Sequence, residues 1–291
     1  MKPNFFIIGA QKSGTTAISE YLKTHPNVSF SSPKEPHFFS PEFVGVCPVK
    51  DINEYLRLFR HNGQNIIAVG EASTGYLQSS TALENIFEFN PDAKIIVMLR
   101  NPIQLVKSLH SHLLFYGHED EKSFEKAWHL QEERKKHKFL PKDPSLHYSL
   151  QYSNVMRLGT QLNHVLSVFP HKKVKVIIFD DFINNPKNTY HEILSFLDLP
   201  IDSRNEFPKV NQAKSLRFPI IICAIRKILP WRVRNLYRCR ISSALFRMMF
   251  SNKAKNYQTP DTLYQEMRAI VEPEVKILSK LLNRNLDGWL R

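Results

Sequence analysis

A chain of 291 residues, 42% of them apolar and evenly spread, can bury one substantial core, which argues for a single α/β domain over 1–291 rather than two. Forty Lys+Arg against 27 Asp+Glu give a net charge of +13, a balance that favours an anionic partner such as a nucleotide, an acidic glycan, nucleic acid or a lipid headgroup. Cys47, Cys223 and Cys239 have no CxxC spacing and are odd in number, which speaks against a disulfide framework and a cysteine-based zinc site. The start carries none of the features of a secretory signal, and the longest apolar run, 218–225, falls far short of the roughly 20 residues that cross a bilayer. A soluble, cytoplasmic protein is therefore expected.

In chain order, 5–8 is a continuous apolar run closed by Gly9, as in a strand buried on both faces, and 15–24 carries helical spacing through Ile18, Tyr21 and Leu22. Between them lies Gly9-Ala10-Gln11-Lys12-Ser13-Gly14-Thr15-Thr16. A loop joining a buried strand to a helix presents N–H groups and the positive end of the helix dipole, which is a natural anion site. The usual nucleotide loop, G-x-x-x-x-G-K-[ST], would place lysine at 15; here Thr15 stands there and the lysine comes two residues before Gly14, which disfavours an ordinary ATPase or GTPase. Buried-strand patterns return at 65–69 and 94–99, beside helical segments at 51–60, 81–89 and 102–116.

The charged helical stretch 119–138 reads as a solvated surface helix. A helix over 152–169, a strand over 174–179 and a helix over 189–197 follow. This alternation predicts a P-loop-like central parallel sheet flanked by helices. From 213 the pattern is helical, with breaks at Pro219, Pro230 and Pro260, and 207–260 holds twelve Lys+Arg and no acidic residue. That basic helical appendage, about 213–260, reads first as a solvated face, second as an interface to an anionic acceptor or membrane surface, and last as a nucleic-acid patch.

The displaced lysine of the loop resembles the 5′-phosphosulfate loop of sulfotransferases that use 3′-phosphoadenosine 5′-phosphosulfate (PAPS). Ser-Pro-Lys-Glu-Pro-His-Phe-Phe at 32–39 and Gly-Glu-Ala-Ser-Thr-Gly-Tyr-Leu at 70–77 look like segments of the heparan sulfate (glycan) branch and its bacterial relatives. KIIVMLRNPIQLVKS at 94–108 resembles the 3′-phosphate site, with Arg100 ending a strand and Ser108 eight residues on. The stretches 169–186 and 281–290 are also similar to the bacterial members. The chain departs from the glycan pattern at Ala72, Thr74 and Ser40, and it lacks the cysteine-flanked loop that completes the vertebrate cofactor site, where Asn211, Lys214 or Arg217 are the candidates to substitute.

This resemblance implies transfer of a sulfuryl group from PAPS to a hydroxyl or amine, leaving adenosine 3′,5′-bisphosphate, with no metal. Gln11, Lys12, Ser13, Gly14, Thr15 and Thr16 would hold the 5′ side of the cofactor, and Arg100 with Ser108 the 3′-phosphate. Lys12 would neutralise charge on the leaving phosphate. Glu35 is the leading candidate for the base, with His37, on the same side if the segment is extended, orienting Glu35 or the acceptor or serving as the base itself. His110, His112 and His164 belong to no motif and read as ordinary surface or hydrogen-bonded side chains. A carbohydrate or glycolipid acceptor is implied and no nucleic-acid partner, while peripheral membrane contact through the basic segment stays open. Two other readings stand beside this one: a nucleotide-dependent kinase with a deviant phosphate loop, and a non-catalytic protein that binds anionic polymers.

Overall fold

The computed structural model describes residues 1–43, 65–208 and 259–291, with 45, 47, 49 and 51–59, and the backbone of 215–216 and 250–251. Five parallel strands, β1 (Phe5–Gly9), β2 (Val28–Phe30), β3 (Ala68–Ala72), β4 (Lys94–Leu99) and β5 (Val174–Ile178), form one sheet in the order β2-β3-β1-β4-β5. Parallel neighbours need crossovers, which helices supply. The first crossover starts with α1 (Thr15–Lys23); α2 (Ile52–Arg57), α3 (Ala82–Phe89) and α4 (Pro102–Tyr116) follow in the later ones.

Alternation along each strand sends side chains to opposite faces, so β1 divides itself between two cores. Phe6 and Ile8 join Ile95, Val97 and Leu99 of β4 under α3, α4 and the later helices α7 (Tyr152–Val155), α8 (Leu158–Val168) and α11 (Asp261–Leu281). Phe5 and Ile7 join Ile96 and Met98 against Ile18 and Leu22 of α1 and Tyr190, Ile193 and Leu194 of α10 (Pro186–Phe196). With both faces covered, β1 and β4 read as unbroken apolar runs, and they are the two strands that place the 9–16 loop and Arg100 at the same sheet end.

Four expectations change. The third strand lies three residues later than 65–69, because Gly70, Glu71 and Ala72 pair with Phe5, Phe6 and Ile7. Glu71, a carboxylate that reads as a strand terminator, is carried fully into the interior by hydrogen bonds from the hydroxyls of Tyr55 (2.6 Å), Ser73 (2.5 Å) and Tyr76 (3.0 Å). The stretch 119–138 is two short helices, α5 (Phe124–His129) and α6 (Gln131–Lys135), and it is not simply solvated. Arg134 donates to both Glu119 oxygens at 2.6 and 2.8 Å, Tyr152 donates to the same carboxylate at 2.8 Å, and Glu119 and Arg134 are both buried, so the charge pattern conceals an internal clamp. The helix expected at 152–169 is split between α7 and α8 at Met156 and Arg157. Finally, the short strand β2 completes the sheet edge where no strand was read.

The expected basic appendage and the candidates Asn211, Lys214 and Arg217 lie outside the described residues, apart from a backbone pair in which β6 (Ser215–Leu216) runs antiparallel to β7 (Phe250–Ser251). Among the described residues no helix is long and apolar enough to cross a membrane.

Candidate functional site

β1 ends in the loop read from the sequence. Lys12 and Gly14 take left-handed backbone (φ 58° and 90°) and α1 begins at Thr15. Ala17 and Ile18 donate to the Gly14 carbonyl at 3.0 and 3.3 Å, so the helix closes on Gly14 and the N–H groups of 14–16 form its open first turn. Alternating handedness with helix-end donors is an anion nest. At Gly14 the left-handed φ suits glycine, and a Cβ there would also crowd the rings of Phe179 and Phe182 at 3.2 Å. Ser13 is fully buried and its hydroxyl donates to the Gln11 carbonyl at 3.3 Å.

β4 ends one residue before Arg100, whose guanidinium reaches back across the sheet end. Nη1 donates to the Lys12 carbonyl at 3.1 Å, Nη2 to Gln104 Oε1 at 3.4 Å, and the plane lies over the Phe179 ring at 4.7 Å. Phe179 opens α9 (Phe179–Asn184), so β5 contributes the third wall. Arg100 Nε is buried without a hydrogen-bond partner, a donor left for something the protein does not supply.

Gln104, Ser108 and His112 stand four residues apart along α4 and therefore share one face. Gln104 accepts from Arg100 at one end of that stripe, and His112 Nδ1 lies 3.3 Å from Lys12 Nζ at the other, which places the half-buried Ser108 between the two cations. His112 is thus part of the site, contrary to the expectation of an ordinary histidine; its spacing from Ser108 was the available signal. Burial and the nearby Arg100, with a smaller push from Lys34 and against the pull of Glu35, lower the Lys12 ammonium to about 8. Lys12 and Arg100 therefore form one electropositive site at the same end of the sheet.

The Glu35 segment is not extended. Glu35 and His37 both have left-handed φ (61° and 51°), yet their side chains still meet, with His37 Nε2 3.7 Å from Glu35 Oε2. Lys34 donates to the other Glu35 oxygen at 2.5 Å. Burial alone would push the Glu35 carboxyl up, but the Lys34 charge and the hydrogen bond and charge of His37 hold it well below the usual carboxylate range. His37 is itself buried; its backbone N–H donates to Ser73 Oγ at 3.0 Å, while its ring Nδ1 has no partner.

Gln11 does not turn its side chain to the loop cavity. Its Nε2 donates to Ser149 Oγ at 2.8 Å and to the Tyr148 hydroxyl at 3.2 Å, so Gln11 fastens the loop to a 3-10 segment, Pro144–Leu150, more than 130 residues away. Tyr148, Ser149, Gln104, Lys34 and Phe179 were not among the sequence candidates. Tyr148 and Ser149 sit in no motif, and only the folded chain brings them to Gln11.

A family model described as a sulfotransferase domain matches residues 2–217. A solved sulfotransferase from Alicyclobacillus acidocaldarius covers 100% of both chains with a TM-score of 0.72 and 28% identity. Carbohydrate sulfotransferase 15 of Homo sapiens is 28% identical over 260 residues, covering 70% of this chain and 45% of the relative. The bifunctional heparan sulfate N-deacetylase/N-sulfotransferase 1 of Caenorhabditis elegans is 23% identical over 296 residues, 99% of this chain and 31% of that one. The chain spans less than half the length of these two curated relatives.

Proposed function

This chain belongs to the sulfotransferase family, and on that premise we propose that it transfers a sulfuryl group from PAPS to a hydroxyl or amine of a carbohydrate or glycolipid acceptor. The observation that carries the reading is the hydrogen bond from Arg100 Nη1 to the Lys12 carbonyl, 3.1 Å, which ties the 3′-phosphate candidate to the phosphate loop in one cleft. The donor set suits a nucleotide with two separated anionic groups: an amide nest and an ammonium at one end, a guanidinium with an unpaired buried Nε and the Ser108 hydroxyl at the other. PAPS, when bound, supplies an activated sulfuryl group on a phosphate leaving group.

Each residue then has a defined task. Residues 13–16 bind the 5′-phosphate side through backbone N–H groups and hydroxyls, and Arg100 and Ser108 bind the 3′-phosphate. Lys12 places positive charge where the leaving oxygen becomes more anionic, the preorganised electrostatic contribution that dominates in transfers of this kind. Glu35, ionised throughout the neutral range, accepts the acceptor's proton. Its low proton affinity favours a proton shared late, as the new O–S or N–S bond forms, rather than removed beforehand. His37, held by Ser73 and touching Glu35, orients that carboxylate. The carbohydrate acceptor rests on the names of the relatives, and the single-domain reading is kept as part of the same proposal.

The test is incubation of the protein with sulfur-labelled PAPS and, separately, with phosphorus-labelled ATP and Mg²⁺, in the presence of polysaccharide, oligosaccharide and lipid extracts of its host. Label is expected in a glycan or glycolipid from PAPS alone. Label from ATP alone would favour the kinase reading. Label from neither, with salt-sensitive binding of anionic polymers, would favour the non-catalytic one.

A further inference from the structure

We infer that Tyr148 positions the acceptor: its phenol hydroxyl donates a hydrogen bond to a polyhydroxylated acceptor beside Glu35, while the Phe43–Tyr148 ring pair forms the apolar wall against which a sugar ring lies. The inference rests on the sulfotransferase reading and names the acceptor half of that site.

Three observations meet at this residue. The first concerns hydrogen bonds. The Tyr148 oxygen accepts from Gln11 Nε2 and lies beside the Ser149 hydroxyl, and among the described residues no carbonyl or carboxylate takes the phenol proton, so a ligand oxygen has only that neutral hydroxyl to compete with. Burial, helped by the negative charge of Glu35, holds the phenol well above its ordinary range despite the hydrogen bonds from Ser149 and Gln11, so Tyr148 is a neutral donor at any pH at which the protein works. His37 links the two groups, its ring 6.4 Å from the Tyr148 ring and its Nε2 3.7 Å from Glu35 Oε2.

The second concerns crowding at Gly75, in the turn after β3. A Cβ at that position would lie 2.9 Å from the Tyr148 hydroxyl, 2.9 Å from His37 Cε1 and 3.1 Å from Phe43 Cε2. Three side chains from two segments far apart in sequence, 37–43 and 148, therefore pack onto one point, and only a residue without a side chain lets them. One of them, His37, is buried and has an unpartnered Nδ1 next to the converging carbon. Gly75 therefore packs His37, Phe43 and Tyr148 closely together and fixes the phenol hydroxyl beside the His37–Glu35 pair, where its free edge can meet a hydroxyl-rich ligand.

The third concerns shape. Phe43 and Tyr148 stack at 3.9 Å with rings 5° from parallel, and both are only half-buried, so the pair exposes an apolar edge beside the polar groups. A ring with one apolar face and several hydroxyls matches that combination. Gln11 holds the wall in register with the adjacent Lys12, so that an acceptor seated on Tyr148 is positioned relative to the leaving group.

Tyr148→Phe keeps the ring stack and removes only the hydroxyl. Two equilibrium measurements and one rate decide the matter: calorimetric binding of adenosine 3′,5′-bisphosphate, binding of the host glycan and lipid fractions to the bisphosphate complex, and transfer of label from PAPS into those fractions. The variant should bind the bisphosphate within twofold of wild type, bind the acceptor fraction about tenfold more weakly, and lose about tenfold in kcat/KM for the acceptor, mostly through KM. Gly75→Ala, whose methyl group would push the Tyr148 hydroxyl, His37 and Phe43 off their common packing point, should reproduce the acceptor defect. Wild-type acceptor binding in Tyr148→Phe, or a parallel loss of bisphosphate affinity, overturns the inference and leaves the sulfotransferase reading standing. A wild-type chain that binds no bisphosphate and labels nothing overturns both, and one that binds bisphosphate but labels no polyhydroxylated compound overturns the acceptor assignment.

Discussion

The two halves of the cleft are built in different ways. On the nucleotide side, Lys12 and Arg100 each follow a strand of the buried sheet centre and each precede a helix, so β1 with α1 and β4 with α4 fix them through continuous backbone. On the acceptor side, Glu35, His37, Phe43, Gly75 and Tyr148 come from three separate connections, and what aligns them is a handful of side-chain contacts: Gln11 to Tyr148, His37 N–H to Ser73, the Phe43–Tyr148 stack and the Lys34–Glu35–His37 contacts. A site made this way separates two kinds of failure. Damage on the acceptor side should leave the nucleotide bound, whereas damage on the nucleotide side should reach both partners.

The sharpest division comes from Glu35→Gln, which keeps the shape and removes the proton acceptor. Transfer in a single turnover should fall by about 10²–10⁴, with bisphosphate affinity changed less than twofold. Equal losses in both would mean that the two halves are not separable. Lys12→Ala comes next, with transfer from PAPS reduced by about 10²–10³.

The same lysine predicts a pH profile. In the proposed reaction only the protonated ammonium neutralises the leaving phosphate, and its value of about 8 means that this form is lost as pH rises through 8. Accordingly kcat/KM for PAPS should fall above pH 8, and Lys12→Arg, whose charge persists to much higher pH, should lack that descending limb. A limb unchanged in Lys12→Arg would assign it to another group. The smallest effect is expected beneath the site: Tyr55→Phe removes one of the hydroxyls on the buried Glu71, which should cost about 1–3 kcal/mol in denaturant unfolding while leaving kcat within a few-fold.

The same contrast explains what could be read from the sequence. The parallel sheet and the strand–loop–helix unit that carries Lys12 were legible because burial on both faces produces unbroken apolar runs, while Ser108 was reached by resemblance and lies on α4, where helix spacing fixes neighbours four residues apart. That rule also covers His112 and Gln104, which were passed over because they belong to no pattern by themselves. Glu71 displaced the third strand from its expected place, since a carboxylate looks like a surface residue until Tyr55, Ser73 and Tyr76 are seen to surround it. Arg134 and Glu119 hid in the same manner within a stretch whose charges resemble a solvated helix. Tyr148 left no trace at all, because its meaning depends on Gln11, 137 residues away.

The central claim is that one cleft grips both ends of a 3′-phosphorylated sulfonucleotide, and calorimetry tests it most directly. Wild-type protein should bind adenosine 3′,5′-bisphosphate at least about tenfold more tightly than adenosine 5′-monophosphate, and Arg100→Ala should abolish most of that preference. Equal affinity for the two nucleotides, or a preference that survives the loss of Arg100, would contradict the account.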